Sequence, residues 1–291
     1  MCVDLHTHSV YSDGTATPAE LISMAAACNL KGLALTDHDT VEGVQETIRL
    51  GNKMEIVVIS GLEISAMHNG YSLHILGYGI EPENQELCDW LMRLQQGRVE
   101  RNRKILGKLA AMGINISSNE VARLSGCGQT GRPHIARLLV DKGYVKNMNE
   151  AFKFYLGRNK PAFCSRFSYT AAETIDIIHR AGGVAVFAHP GQLDSGMKMQ
   201  PQIIKELVER KLDGLEIYYP SHSRKMQKRL KGLAKQYNLL ATGGSDYHGN
   251  NRAGRLAGCA NGICPPASIM DDIRRRLQRQ NQEPIPLCIP S

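Results

Sequence analysis

The sequence contains no hydrophobic run long enough to cross a membrane. A membrane-spanning helix needs about 20 consecutive apolar residues, and apolar stretches such as residues 184–188 are far shorter. The first residues, Met-Cys-Val-Asp-Leu-His-Thr-His, also lack the basic start and the apolar centre of a secretory signal. These two absences predict a cytoplasmic protein without a membrane partner.

Aromatic residues are scarce, at 5%, and no Cys-x-x-Cys pair occurs. Hydrophobic residues still make up 42% of the 291 residues, which is enough for a sizeable core and excludes a disordered chain. The eight cysteines are irregularly spaced in a chain that shows no secretion signal. We therefore expect free thiols rather than a disulfide framework.

Acidic residues are scarce in the middle of the chain. Residues 91–180 contain 16 basic and 6 acidic residues, a net charge of +10, although the whole chain carries only +7. Such a basic segment is typical of a protein whose partner carries phosphate, such as a nucleotide or a nucleic acid. A solvated helix face would produce the same composition, so charge alone leaves both interpretations open.

Short β-like runs recur seven times, and helical patterns separate most of them. This alternation predicts parallel strand pairing and an α/β architecture, and seven such strands could close into a barrel. The predicted strands are residues 2–6, 32–36, 55–60, 72–78, 184–189, 214–219 and 240–243. Helices are predicted from Thr17-Pro18 onward and at residues 170–181, 200–211, 221–237 and 266–280.

The interval between the fourth and fifth predicted strands breaks this alternation. Its sequence pattern predicts helices at residues 83–112, 118–125, 132–142 and 149–155, and the interval carries the positive charge. We therefore predict a barrel built from residues 1–80 and 165–280. A helical insertion, residues 81–164, would cap its mouth, and the proline-rich residues 281–291 would form an irregular tail.

Histidines and carboxylates gather at or near the carboxyl ends of the predicted strands. His6 and His8 alternate along the first strand, so that their rings share one face. In parallel α/β barrels these strand ends meet at one rim, where active sites are built. The candidates are His6, His8, Asp13, His38, Glu63, His74, His189, Asp246 and His248.

Divalent cations would explain this gathering. Three crowded carboxylates repel one another, and buried charges are costly unless they are neutralised. Imidazole and carboxylate donors without thiolate suit zinc, manganese or iron. Nine donors are too many for one ion, so we expect two or three divalent ions, with Glu63 or Asp246 as a bridge.

These motifs resemble those of the PHP (polymerase and histidinol phosphatase) superfamily, and the match runs from Cys2 to about Gly258. The resemblance implies a distorted (β/α)7 barrel with a trinuclear site, in which Asp13 stands where many relatives have histidine. The matching motifs are His6-Thr7-His8, Thr36-Asp37-His38-Asp39, Gly61-Leu62-Glu63, His74, Ala188-His189-Pro190 and Ser245-Asp246-Tyr247-His248.

Carried over motif by motif, the resemblance distributes the ligands over three ions. The first would be held by His6, His8, Glu63 and Asp246. The second would be held by Glu63, His74 and His189, and the third by Asp13, His38 and His248. Manganese is our first choice of metal, with zinc or iron as alternatives.

The helical insertion and its Gly131-Arg132-Pro133-His134-Ile135-Ala136 motif resemble one branch of this superfamily. That branch contains 3′,5′-nucleotide bisphosphate phosphatases and 5′→3′ exonucleases that act on short RNA or DNA. The resemblance implies attack on phosphorus by a metal-bridged hydroxide. A histidinol-phosphate phosphatase is the first alternative. A non-catalytic module that binds phosphate or nucleic acid is the second, although the intact ligand set argues against it. No obligate protein partner is inferred.

A second phosphate on the substrate would need a cationic site of its own. We expect Arg132 and His134, in a loop that opens a helix, to bind it, with Arg166 as a weaker candidate. His222 is a candidate to protonate the leaving group, and Asp39 to orient a ligand or a water. The alternatives are a surface charge at a helix start for Arg132 and a structural hydrogen bond for His222.

Overall fold

The computed structural model describes residues 1–125, 129–251, 254–259 and 262–280. Seven strands form one sheet in chain order. The first three strands pair in parallel and so do the last three, whereas the fourth runs antiparallel to both neighbours. The strands are β1 (Val3–Thr7), β2 (Gly32–Leu35), β3 (Val57–His68), β4 (Tyr71–Tyr78), β5 (Val184–Phe187), β6 (Gly214–Tyr218) and β7 (Leu240–Gly243).

Main-chain contacts join the first strand to the segment that follows the last. Thr7 and Tyr247 form a parallel bridge. The N–H of His8 donates to the carbonyl of Tyr247 at 2.9 Å, and the N–H of Asp246 donates to the carbonyl of His6 at 2.8 Å. The sheet therefore curls on itself, and the predicted distorted α/β barrel is confirmed.

The fourth strand departs from the parallel pairing that we expected. Asn69 and Gly70 both have positive φ angles, 48° and 81°, and form the two-residue turn of a β-hairpin between β3 and β4. β3 also continues to His68, so Glu63 lies inside a strand and not after its end. The predicted end at residue 60 was wrong, because a buried acidic residue in a strand looks like a strand end.

Helices cover much of the remaining described chain. Thr17 and Thr170 cap the first and seventh helices, and each is paired with a glutamate three residues later. No helix in the described ranges is long and apolar enough to cross a membrane. The helices are α1 (Pro18–Ala27), α2 (Val44–Lys53), α3 (Gln85–Ala111), α4 (Ser118–Ser125), α5 (Arg132–Asp141), α6 (Met148–Ala151), α7 (Ala171–Arg180), α8 (Gln200–Glu209), α9 (Arg224–Gln236) and α10 (Ser268–Gln280).

The helices from α3 to α6 pack around a hydrophobic cluster of their own, which includes Ile105, Leu109 and Ile135. A π-helical turn, Phe152–Leu156, follows α6. Side chains of this segment reach the barrel, because Gln95 donates to the carbonyl of Asp39, in the loop after β2, at 3.1 Å. The boundaries at residues 81 and 164 stay a prediction, and the predicted tail, residues 281–291, lies outside the described residues.

The expectation of free cysteines was wrong for four of them. Disulfides join Cys2 to Cys264 and Cys28 to Cys259. Each pair has its Cα atoms 5.0 Å apart, within the usual range for a disulfide, although 262 and 231 positions separate the partners in sequence. Barrel closure brings the pairs together, and spacing along the chain does not show this. Cys88 and Cys164 are free.

Candidate active site

Glu63 lies fully buried at the centre of a group of imidazoles. Its Oε1 atom is 2.8 Å from Nδ1 of His74 and 2.9 Å from Nε2 of His189. Its Oε2 atom faces three further rings, at 2.9 Å from Nδ1 of His38, 3.3 Å from Nε2 of His8 and 3.4 Å from Nε2 of His6. One carboxylate on β3 therefore contacts five histidines.

Two further carboxylates extend this cluster. Oδ1 of Asp246 lies 3.3 Å from Nε2 of His8 and 3.5 Å from Nε2 of His6. Oδ1 of Asp13 lies 3.3 Å from Nε2 of His248 and 3.8 Å from Nε2 of His38. All nine candidate ligands from the sequence are therefore brought together at one end of the barrel.

The electrostatics of the cluster favour bound cations. Burial raises the pKa of a carboxyl group, but the neighbouring imidazoles outweigh it and hold the pKa of Asp13, Glu63 and Asp246 well below the usual range. Burial also lowers the pKa of His8 to about 3, which keeps this imidazole neutral and able to donate a lone pair. Ionised carboxylates and a neutral His8 are forms that bind metals. The neighbouring carboxylates outweigh burial and raise the pKa of His6, His38 and His248, so these imidazoles would give up a proton to a bound ion.

Buried polar atoms in this cluster lack hydrogen bonds of acceptable geometry within the described part of the chain. They include Nε2 of His6, Nε2 of His8, Oδ1 of Asp13 and Oε2 of Glu63. Unpaired buried polar atoms are costly, and all four belong to the candidate metal ligands. The donors are nitrogen and oxygen without thiolate, so the residues present fit divalent metal ions.

The donor atoms form three groups, each with all its atoms within 4.8 Å of one another. His6, His8, Glu63 and Asp246 form the first, as predicted. The second contains the predicted set Asp13, His38 and His248 together with His8. The third contains Glu63 and His74 with His38, whereas the prediction placed His189 there. How individual ligands divide among ions stays a prediction.

Glu216 orients the cluster from β6, and the sequence analysis missed it. Its Oε1 atom lies 2.9 Å from Nδ1 of His6, and its Oε2 atom accepts the N–H of His189 at 2.7 Å. A carboxylate on Nδ1 leaves Nε2 of His6 to face Glu63, which is the arrangement that fixes the tautomer of a metal-binding histidine. The overlooked signal was an acid within the apolar strand Gly-Leu-Glu-Ile-Tyr.

Three residues at the strand ends of the site have left-handed backbone conformations. Asp39, His189 and Asp246 have φ angles of 53°, 28° and 54°. Such conformations cost about 1–3 kcal/mol for residues other than glycine and cluster at functional sites. Each residue follows a strand closely, so the turn of the backbone sets the direction of its side chain.

A cluster of arginines, two of them buried and two half-buried, adjoins the metal ligands. Oδ2 of Asp39 accepts a hydrogen bond from Nε of Arg98 at 2.7 Å and one from Nη1 of Arg166 at 2.8 Å. Burial would raise the pKa of Asp39, but these two guanidiniums outweigh it and lower the pKa. Asp39, which directly follows His38, therefore anchors two arginines. Its predicted role in orienting a ligand or a water, and that of Arg166 in substrate binding, stay predictions.

Arg101 and Arg132 complete this arginine cluster. Burial, reinforced by Arg98, Arg166 and Arg132, lowers the pKa of Arg101 to about 8. Burial and Arg98 also lower the pKa of Arg132, whose Nη1 donates to the carbonyl of Leu156 at 3.3 Å. Guanidiniums stay protonated in proteins, so these shifts mark a site that an anion would stabilise.

Arg98 and Arg101 were not among the predicted residues. They lie three positions apart on α3 and are 9% and 5% exposed. In a helix that mixes charged and apolar residues, the sequence pattern predicts that the charged residues face solvent. The signal that could have found them is their spacing, because positions i and i+3 share one face of a helix.

The two remaining histidine candidates make structural hydrogen bonds. Nδ1 of His134 accepts the N–H of Gly131 at 3.0 Å and caps α5, which leaves Nε2 for a ligand. Nδ1 of His222 lies 3.0 Å from the carbonyl of Ile217, and its Nε2 accepts the N–H of Gly191 at 3.1 Å. Both nitrogens of His222 therefore contact the backbone, and its predicted role in protonating a leaving group stays a prediction.

Comparison with known proteins shows to which protein family the chain belongs. Residues 4–232 match the model of the PHP domain family. The chain therefore belongs to the PHP family, and with its buried histidine and carboxylate cluster it is a metal-dependent hydrolase of phosphate esters.

Two proteins and one solved structure are similar to most of the chain. The chain is 35% identical over 264 residues to a 3′,5′-nucleoside bisphosphate phosphatase from Chromobacterium violaceum, which covers 90% of this chain and 93% of that protein. It is 33% identical over 249 residues to the 5′-3′ exoribonuclease Rnm of Escherichia coli, with 84% of each chain covered. A solved structure described as a C. violaceum amidohydrolase with bound sulfate and no metal is similar, with a TM-score of 0.84 and 34% identity over 96% of this chain and 97% of that one.

Proposed function

We propose that the protein hydrolyses the 3′-phosphate of nucleoside 3′,5′-bisphosphates and removes nucleotides in the 5′→3′ direction from short RNA or DNA. One observation carries this proposal: the arginine cluster adjoins the metal-ligand cluster at the boundary of His38 and Asp39. A simple monoester has one phosphate and needs one anion site. Two adjacent sites suit a substrate with two phosphates.

Two or three divalent ions would occupy the nine-residue cluster, with manganese first and zinc or iron as alternatives. His6, His8, Glu63 and Asp246 would hold one of them. Such ions supply two things to phosphate ester hydrolysis, a water of lowered pKa and positive charge beside the phosphoryl oxygens. The ligand assignment rests on the donor groups within 4.8 Å described above.

The arginine cluster would bind the second phosphate, which is the 5′-phosphate of the proposed substrates. Arg98 and Arg166 are held in place by Asp39, and Arg132 lies against the ring of Phe152. Guanidinium groups bind phosphate through paired hydrogen bonds. His134 would contribute Nε2 from the start of α5. His222 stays a candidate for proton transfer, although its two ring nitrogens contact the backbone.

A substrate panel tests this function. The protein would be freed of metal with a chelator, reloaded with Mn²⁺, Zn²⁺ or Fe²⁺, and assayed with adenosine 3′,5′-bisphosphate, 5′-phosphorylated oligoribonucleotides and histidinol phosphate. We expect phosphate from the bisphosphate and mononucleotides from the oligonucleotides. Turnover of histidinol phosphate alone would replace the proposal with the first alternative, and no turnover of any substrate would favour a binding module.

A variant of the arginine cluster tests the second-phosphate site separately. Arg132→Ala should raise KM for the bisphosphate about tenfold or more, because one charge-assisted contact is worth about 1.5–3 kcal/mol. KM for adenosine 3′-monophosphate should change little. Arg123→Ala, on the exposed side of α4, is the matched control. Equal effects on the two substrates would remove Arg132 from the site.

We further infer a cytoplasmic location, because nucleotides and RNA are turned over inside the cell. The two disulfides are unusual for that compartment, which keeps most thiols reduced. Trapping thiols in intact cells by rapid alkylation tests this placement. Complete oxidation of both pairs in the cell would favour an oxidising compartment instead.

A further inference from the structure

A cavity of about 420 Å³ opens beside the metal-ligand cluster, and the proposed function does not use it. His74 and His189 form its inner wall. Leu193 and the half-exposed ring of Tyr71 line its sides. This volume lies in the range of pockets that hold small organic ligands, and the mixed apolar and aromatic wall suits a nucleoside.

Arg158 lies at this cavity and comes from the helical segment, in the turn after Phe152–Leu156. Its side chain is exposed, and within the described ranges it has no ion pair. A free guanidinium beside an apolar wall is the pairing that recognises a nucleoside next to a phosphate.

The cavity and the arginine cluster adjoin different histidines of the metal-ligand cluster. The arginine cluster is anchored by Asp39, next to His38. The ring of His38 is 5.0 Å from that of His74, and the ring of His74 is 5.1 Å from that of His189. A substrate with its 5′-phosphate in the arginine cluster and its scissile phosphate at the metal ligands would therefore extend toward the cavity.

We propose that this cavity binds the nucleotide on the 3′ side of the scissile phosphate, with its base against Tyr71 and its own 3′-phosphate at Arg158. The inference rests on the proposed function and deepens it. A nucleoside bisphosphate ends at the scissile phosphate and leaves the cavity empty. An oligonucleotide fills it, so Tyr71 and Arg158 are specificity residues for oligonucleotides.

The same bond breaks in both substrates. Water adds to phosphorus, the bond between phosphorus and the 3′-oxygen of the first nucleotide breaks, and that oxygen leaves with one proton of the water. With the bisphosphate the product is inorganic phosphate. With an oligonucleotide the phosphate stays on the 5′-oxygen of the second nucleotide, which becomes the new 5′ end.

Three substrates of increasing length separate these contacts: adenosine 3′,5′-bisphosphate, the 5′-phosphorylated dinucleotide pApA and the trinucleotide pApApA. The initial rate of bond cleavage would be measured for the full-length wild-type protein, Arg158→Gln, Tyr71→Ala and the control Arg123→Gln. Only the trinucleotide places a 3′-phosphate at Arg158. We expect Arg158→Gln to lower kcat/KM about tenfold for the trinucleotide alone. Tyr71→Ala should lower it about tenfold for both oligonucleotides and leave the bisphosphate unchanged.

The outcomes distinguish the two proposals. A wild-type protein that cleaves the oligonucleotides and not the bisphosphate contradicts the bisphosphate activity, and the variants still test the cavity. The cavity assignment is overturned if either variant loses the same factor on all three substrates or nothing on the trinucleotide. It is also overturned if the wild-type protein cleaves neither oligonucleotide.

Discussion

The carboxylate of Glu216 lies 2.9 Å from Nδ1 of His6, on the nitrogen that does not face Glu63. Carboxylates in this position orient the imidazole and raise its basicity toward a metal. The same carboxylate accepts the N–H of His189, so it positions two parts of the candidate metal centre. Glu216 acts through His6 and His189 in this arrangement and is a positioning residue.

Glu216→Gln should therefore weaken metal binding without removing a ligand. We expect the affinity of the chelator-treated protein for Mn²⁺ to fall about 10–100-fold, measured by calorimetric titration. Glu209→Gln, an exposed substitution on α8, is the matched control. An unchanged Mn²⁺ affinity, with the thermal midpoint retained, would show that Glu216 only packs the barrel.

Much of the candidate site is visible in the sequence because strand ends of a barrel converge. His6, His38 and His189 follow or end β-like runs, and this regular placement brings them to one rim. The same reasoning does not find Arg98 and Glu216. Arg98 shares one face of α3 with Arg101, and Glu216 interrupts an apolar strand, but neither pattern shows which part of the folded chain that face meets.

Other features depend on contacts that only folding creates. The hairpin between β3 and β4 had a local signal in Asn69-Gly70, yet its antiparallel direction conflicts with the alternation elsewhere. The pairing of Cys2 with Cys264 had no local signal, because closure of the barrel determines it. Local sequence patterns therefore predict the strands and helices well, whereas strand direction and disulfide pairing depend on contacts between distant parts of the chain.

His222 offers a test of a structural role against a catalytic one. Its two ring nitrogens contact the backbone of Ile217 and Gly191, so His222→Ala leaves buried polar groups unpaired. We expect the free energy of unfolding to fall by about 1–3 kcal/mol, measured by urea denaturation. The value of kcat should change far less than the roughly 10²–10⁴-fold loss typical of a missing general acid. A loss of that size in a stably folded variant would support the catalytic role.

The pH dependence of stability gives His222 a second readout. Burial lowers its pKa below the usual value of 6.5, against weaker opposing contacts. Below pH 6.5 the unfolded chain therefore binds the extra proton first, and the free energy of unfolding falls as the pH decreases. The wild-type protein should lose more stability between pH 7 and pH 5 than His222→Ala does. Parallel curves for the two proteins would indicate that His222 titrates normally in the fold.

The disulfides predict a specific labelling pattern. The purified protein would be unfolded and alkylated without reductant. Mass spectrometry should then show four unmodified cysteines that become labelled only after reduction: Cys2, Cys28, Cys259 and Cys264. Cys88 and Cys164 should be labelled at the first step. Replacing one pair, as in Cys28→Ser with Cys259→Ser, should cost about 2–5 kcal/mol of stability. Full labelling of all cysteines before reduction would contradict both bridges.

Substitution of Asp39 distinguishes a role in holding the arginines in place from a role in orienting the metal ligands. Asp39→Asn keeps the shape of the side chain but removes the negative charge between Arg98 and Arg166. Breaking a buried ion pair in this way costs about 3–5 kcal/mol. We expect a lower thermal midpoint, a raised KM for the bisphosphate and an unchanged Mn²⁺ content by elemental analysis.

Sulfate should partly reverse the loss of stability, because an anion bound among the arginines replaces the missing charge. The midpoint of Asp39→Asn should therefore rise more with added sulfate than that of the wild-type protein, since a ligand that binds only the folded state stabilises it. Sodium chloride at equal ionic strength is the control for general screening. If Mn²⁺ content falls while KM and the sulfate response stay as in the wild type, Asp39 instead orients the metal ligands beside it, as the sequence first suggested.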